Sequence, residues 1–210
     1  MKQLIITLLL LISANVSAQY SEATDAQSKE LIAAITKSSE EMKSMQCDFL
    51  QVKELSFMDD KVTSEGRMFF KQPKSIRWEY SKPYKYVFTT DGKNISMTSG
   101  DKTNKVPVRQ SKLFDKISRV MVGGVSGAGL MDSSDFSIKI LIGQKDSKIV
   151  LTPTEKEVKD LFSVIHLTIS KPEARIVAVE MTEKTGDKTT ITLKNVKYNE
   201  DISDTLFSNP

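Results

Sequence analysis

The chain switches between two hydrophobic periods, and the switches mark its elements. Over residues 25–44 the apolar positions Leu31, Ile35 and Met42, with Met45 just beyond, recur at helical spacing, and Lys and Glu occupy the opposite side. Thr24-x-x-Gln27 has the form of a capping box, and Asp25 adds negative charge to the first turn. One amphipathic helix over 25–44 is expected. The period then drops to two. Met45, Cys47 and Phe49 alternate with Gln46, Asp48 and Leu50, and the strand is expected to continue through Val52 and Leu55 to Phe57. Asp59-Asp60 turns the chain into a return strand, Lys61–Lys71. There Gly66, Met68, Phe70 and Gln72 share one face and Arg67, Phe69 and Lys71 the other.

The stretch 66–92 is the densest in strand signals. Pro73 cannot donate to a ladder and marks a corner. Residues 75–81 alternate, with Ile76, Trp78 and Tyr80 opposite Arg77 and Glu79. Lys82-Pro83 interrupts them, 84–90 is β-branched and aromatic, and Asp91-Gly92 is a hairpin signal. A short strand follows at 94–98, then a loop at 99–105 and a strand near 106–109. Helical spacing returns over 111–122, where Ser111 can cap and Leu113, Phe114, Ile117, Val120 and Met121 form one apolar face. Residues 123–129, GGVSGAG, carry four glycines in seven positions and are expected to act as a hinge for that helix. Further strands are expected at Phe136–Ile142, 148–152, Phe162–Ser170, Arg175–Glu183 and 189–198, punctuated by Pro153, Lys171-Pro172 and Thr185-Gly186-Asp187.

The order Lys71-x-Pro73, Arg77-Trp78-x-Tyr80, Pro83, Asp91-Gly92 resembles the signature region of LolA, the periplasmic carriers of outer-membrane lipoproteins. The tail, Lys194-Asn195-Val196-x-Tyr198-Asn199 with Ile202, Leu206-Phe207 and Pro210, resembles the closing strand and terminal aromatic-x-x-Pro of the same family. One position departs: Gln72 stands where the family usually has Arg. The resemblance implies that the Gln72 side of its strand looks inward, and that this face stays open beneath a lid. Composition alone favours the other reading, the Trp78 and Phe70 face as the core of a closed β protein, and the resemblance reverses that balance.

Together, the hairpin-spaced strands, the two amphipathic helices and the resemblance predict a mainly β (α+β) fold. It is an unclosed antiparallel β-barrel, with an N-terminal helix and a central lid helix covering a hydrophobic cavity. Alternation plus the inward parity that the family implies make Met45, Cys47, Phe49, Met68, Phe70, Ile76, Trp78 and Tyr80 the expected cavity lining for acyl chains. Leu113, Phe114, Ile117, Val120 and Met121 are the expected lid. By resemblance Gln72 is the latch, in the place of an arginine that reaches across the cavity mouth to the lid. The partners implied are lipidated proteins, an inner-membrane lipoprotein-release complex and an outer-membrane acceptor; the ligand could instead be another lipid or a glycolipid. A monomer is expected.

Lys2, the apolar run Leu4 to Ile12 and Val16-Ser17-Ala18 have the form of a signal peptide. The expected division is therefore 1–18 for the signal, cleaved after Ala18, and 19–210 for one periplasmic carrier domain. Composition narrows the remaining chemistry. The 30 Lys and Arg against 27 Asp and Glu are spread evenly, with no Arg-rich stripe, so nucleic acid is not an expected partner. The single cysteine, Cys47, has no intramolecular partner for a disulfide, and the single histidine, His166, sits alone in a strand. Asp132 and Asp135 lack the carboxylate-rich loop that calcium needs, and Glu65, Glu79 and Glu180 are isolated in sequence. Residues 123–129 lack the Lys-Ser/Thr ending of a phosphate loop and follow a helix rather than a strand. Neither an enzyme nor a metal or cofactor site is expected.

Overall fold

Consecutive strands of this chain pair with one another, so two antiparallel meanders form, and a single long-range pairing fuses them. The computed structural model describes residues 20–107 and 135–208. The first meander is β2 (Ser44–Glu54), β3 (Lys61–Lys71), β4 (Ser75–Lys82), β5 (Tyr86–Thr90), β6 (Asn94–Ser99) and β7 (Lys102–Pro107). The second is β8 (Phe136–Ile142), β9 (Asp146–Pro153), β10 (Phe162–Ser170), β11 (Arg175–Glu183) and β12 (Lys188–Tyr198). Pairing of β12 with β2 joins them, and the short β1 (Ser21–Glu22) adds to β8. Among the described residues this is one 12-stranded sheet in the order β1-β8-β9-β10-β11-β12-β2-β3-β4-β5-β6-β7. Its outermost strands, β1 and β7, do not pair with each other, so the sheet is unclosed. Among the described residues three helices accompany it: α1 (Asp25–Glu40), α2 (Lys156–Lys159) and α3 (Thr205–Ser208). None of the described helices is long and apolar enough to cross a membrane.

The capping box forms as expected. Gln27 N donates to Thr24 Oγ1 at 3.3 Å, and Thr24 N donates to Gln27 Oε1 at 2.9 Å. The C-terminus of α1 differs: the helix stops at Glu40, and Ser44 already belongs to β2. Groups distant in sequence hold the chain off the helical path. Asn199 Nδ2 donates to Glu41 O at 3.1 Å, and its Oδ1 accepts from Lys43 N at 2.7 Å. Gln72 N donates to Lys43 O at 2.9 Å. Met42 and Met45, which continue the helical period in the sequence, therefore sit in the turn and in β2, where both are buried.

Three further boundaries differ. β2 ends at Glu54 rather than Phe57, and β5 starts at Tyr86. Residues 99–105 are not a loop. Ser99 pairs with Lys102 around a tight turn that puts Gly100 at φ +58°, and β7 starts there as an edge strand carrying Lys102 and Lys105. Lysines on an edge discourage pairing with another chain, so a polar run can be a strand. The expected helix 111–122 and the hinge 123–129 lie outside the described residues, as do the signal residues 1–18.

The two faces of the sheet carry different things. One, called inner here, holds two apolar clusters. Under α1 lie Ile140, Ile149, Leu151, Ile165, Leu167, Ile169 and Ile176, with Ile35 of the helix among them. Farther along the same face lies a cluster built on β12, β2, β3 and β4. The outer face holds the C-terminal tail. Phe69 packs there with Ile202 and Phe207, Lys71 Nζ donates to Ile202 O at 2.7 Å, and Arg77 Nη1 donates to Leu206 O at 3.2 Å.

Candidate functional site

Period-two alternation sends every second side chain of β2, β3 and β4 to the inner face, and antiparallel register then lines them up in rows. Met45 stands opposite Phe70, and Phe70 opposite Ile76. In the next row Cys47, Met68, Trp78 and Phe88 follow one another across four strands. The third row is Phe49, Gly66, Tyr80 and Tyr86. Seven of the eight residues expected as cavity lining are buried members of one cluster, and Tyr80, half-buried, packs against it. The sequence reading missed Met42, Ile191 and Tyr198, which join the same cluster. Ile191 and Tyr198 could have been found from parity once β12 was known to pair with β2; Met42 carried no strand signal.

Gly66 makes the third row possible. A Cβ there would fall 2.6 Å from Phe49 Cζ and 2.0 Å from Glu79 O. The Phe49 ring occupies that space, 4.6 Å from the Trp78 ring centroid and 5.1 Å from that of Tyr80, the latter edge-on. Such tilted and edge-to-face contacts suit aromatic quadrupoles and hold the rings in place.

Polarity rises toward one end of the face. Beyond the third row, Gln51 Oε1 accepts from the Tyr80 hydroxyl at 2.9 Å. Beyond Gln51, Lys53 pairs with Glu183 at 3.0 Å. Trp78 is 6% exposed, and its Nε1 is buried with no hydrogen-bond acceptor among the described residues. The Tyr80 oxygen is close enough for the indole N–H to act on its acidity, but the pair lacks hydrogen-bond geometry. Burial is the larger influence and raises the Tyr80 pKa.

Cys47 is inert in this setting. Burial first, and the Asp48 charge second, push its thiol from 9.0 up to about 12, so it stays protonated at neutral pH. His166 Nδ1 lies 3.3 Å from Glu180 Oε1 across the β10–β11 pair, away from this cluster. Among the described residues no group of three His, Cys, Asp or Glu could hold a metal ion.

Gln72 sits at the boundary between the site and α1. Its Nε2 donates to Ser39 O at 3.3 Å, in the last turn of the helix. The expected lid residues Leu113, Phe114, Ile117, Val120 and Met121 lie outside the described residues. Arg175 ties the two inner clusters together: its Nε donates to Ser38 Oγ of α1 at 2.7 Å, and its guanidinium lies 3.7 Å above the ring of Tyr198.

Comparison with known proteins places these features. Residues 40–209 match the family model described as "Outer membrane lipoprotein carrier protein LolA". An outer-membrane lipoprotein carrier protein of Chromohalobacter salexigens is 26% identical over 145 residues, 69% of this chain and 66% of that protein. A protein of the same description from Xanthomonas oryzae is 26% identical over 140 residues, 66% of this chain and 64% of that one. The matched stretches thus span just under two thirds of those relatives. Among solved structures, an uncharacterized conserved protein from Thermus thermophilus shares the fold with a TM-score of 0.53 at 11% identity, covering 87% of this chain and 93% of that one.

Proposed function

This chain belongs to the LolA family, and from that premise we propose that it is a periplasmic carrier, which takes up the acyl chains of lipoproteins and shuttles them from the inner to the outer membrane. The observation that carries the reading is the aromatic and methionine-rich inner face of β2, β3 and β4, on a sheet that does not close. Acyl chains gain about 0.8 kcal/mol for each methylene taken out of water, so uptake has ample driving force. Release is the harder step, and a cover that competes with cargo for the same surface addresses it. Residues 113–121, with their single apolar face, serve as that cover, turning on the glycines of 123–129. An inner-membrane release complex supplies the cargo and an outer-membrane acceptor receives it. The carrier works as a monomer built of one domain, residues 19–210, after removal of the signal segment.

Gln72 sets how firmly the cover is held. A neutral amide donor contributes about 1 kcal/mol, against 1.5–3 for a charged one. Its bond to Ser39 O also shows a competing partner in α1. The closed state is accordingly weaker here than with arginine, and uptake is easier.

A second reading, a carrier or sensor of another lipid or glycolipid, is favoured by Gln72 itself, since it departs from the residue that the resemblance implies. Mass spectrometry of lipid copurified with the exported protein tests both. Acylated peptide supports the lipoprotein reading, free lipid or glycolipid supports the second, and a protein that carries neither, even after incubation with lipopeptide, overturns both.

A further inference from the structure

Between the row of Met45, Phe70 and Ile76 and the row of Phe49 and Tyr80, the inner face buries the indole N–H of Trp78. Row by row along the strands, Met45, Phe70 and Ile76 come first, then Cys47, Met68 and Trp78, then Phe49 and Tyr80, then Gln51 and Lys53. Tyr80 spends its proton on Gln51 Oε1, and Lys53 is paired with Glu183. Trp78 Nε1 alone is left buried and without an acceptor among the described residues. Buried polar groups are nearly always paired, so an orphan in a binding face is a group held ready for a ligand atom. An indole donates and cannot accept, which limits that atom to an acceptor.

We propose that Trp78 Nε1 recognises the carbonyl oxygen of a bound acyl ester or amide, with the ligand's head group on the Tyr80–Gln51 side of the indole. This rests on the acyl-carrier reading and adds to it a donor that selects acyl over alkyl chains. Hydrocarbon alone would leave the N–H as it is in the empty site, whereas a carbonyl would satisfy it without introducing charge. The polar side chains Tyr80, Gln51 and Lys53 all lie on one side of Trp78 along the strands, so the more hydrated part of the ligand belongs on that side. Chains then spread over Met45, Phe70 and Ile76, whose own side chains offer no hydrogen bond; at the two ends of that row Tyr198 lies under Arg175 and Thr90 Oγ1 accepts from Gly92 N. The same carbonyl chemistry occurs in a lipoprotein anchor and in a glycerophospholipid, and the two differ only in what the head group is.

The test uses the protein's only tryptophan as its own probe. Two matched pairs of short-chain ligands are titrated: an ester-linked lipopeptide with its ether-linked counterpart, and a diacyl phosphatidylcholine with its dialkyl counterpart. In the wild-type protein the ester member should bind about fivefold more tightly, the scale of one neutral hydrogen bond, and should shift the Trp78 emission to longer wavelength than the ether member does. Trp78→Phe keeps the ring, removes the N–H and should bind both members of a pair alike. Whichever pair binds identifies the source of the carbonyl. Equal affinity and equal emission for ester and ether in the wild-type protein would overturn the proposal without recourse to any variant. So would discrimination that persists in Trp78→Phe. A shift in the emission of the empty protein on Tyr80→Phe would also overturn it, by showing that Tyr80 already accepts the indole proton. If no member of either pair binds, the acyl-carrier reading itself falls.

Discussion

On the β8–β11 side of the inner face the buried residues are branched aliphatics such as Ile149, Leu151, Ile165, Leu167 and Ile169, and α1 lies across them through Ile35. On the β12–β4 side they are mostly methionine and aromatic, Met42, Met45, Phe49, Met68, Phe70 and Trp78, with Cys47, Ile76 and Ile191 among them, and the described part of α1 contributes no side chain to them. Both sides are buried to a similar degree, yet their materials differ. Branched side chains with few rotamers interdigitate and specify one packing. Methionine is unbranched and adapts to irregular shapes, and aromatic rings offer broad flat surfaces. The first half holds a helix, and under the proposed carrier function the second would accept partners of variable shape. Arg175 stands at the seam, bonded to α1 on one side and stacked on Tyr198 on the other.

The largest expected effect comes from putting a charge in the second half. Phe70→Glu forces a carboxyl to lose its water beside acyl chains, so lipopeptide binding should fall more than tenfold while far-UV circular dichroism remains that of the native protein. If Phe70→Glu instead unfolds the chain, the second half is structural core and the contrast between the halves disappears.

Truncation in the first half should do the reverse. Leu167 is 1% exposed, and Leu167→Ala should lower stability by about 2–5 kcal/mol through lost contacts and a cavity. Lipopeptide affinity of the protein that remains folded should be unchanged. Urea unfolding and a binding titration on the same preparation read both quantities, and a matching loss of affinity would tie the halves together.

Gly66→Ala sharpens the comparison inside the second half. The added methyl must displace the Phe49 ring or the strand at Glu79, an overpacking that costs about 1–3 kcal/mol. With Phe49 displaced, its contacts to Trp78 and Tyr80 loosen, so the Trp78 emission should change together with the urea midpoint. An alanine variant with unaltered emission would mean that the ring stack does not depend on this glycine.

The smallest effect is electrostatic. The Cys47 thiol stays protonated in the folded protein up to about 12, whereas in the unfolded chain it ionises near 9.0. Above that lower value the unfolded state holds fewer protons than the native one, so stability declines as pH rises from about 9 toward 12. Cys47→Ala should flatten the first part of this decline, before the tyrosines begin to ionise. Urea midpoints at pH 8 and pH 9.5 for the two proteins provide the measurement, and identical slopes would show that Cys47 is not shielded.

Much of this was legible in the alternation itself. A period of two sends Met45, Cys47 and Phe49 to one face whatever the rest of the chain does, and the same parity picks out Met68, Phe70, Ile76, Trp78 and Tyr80. The capping box at Thr24 is likewise a local device, closed within four residues. Turn chemistry and strand propensity located Phe162–Ser170 and Arg175–Glu183 at their observed bounds.

Tertiary structure decided whatever depends on residues far apart in the chain. Met42 and Met45 continue a helical period, but Asn199, more than 150 positions away, takes the backbone groups at Glu41 and Lys43 and ends the helix early. The β12–β2 pairing, which no local signal announces, brings Ile191 and Tyr198 into the site. The Lys71 and Arg77 of the sequence motif are seen only in three dimensions to work on the outer face, donating to carbonyls of the tail while their neighbours Phe70 and Trp78 face inward. That Trp78 Nε1 is left without an acceptor is also a property of the assembled face. Alternation fixes which way a side chain points, but which groups it meets there depends on register and long-range closure, and neither is written in a local window.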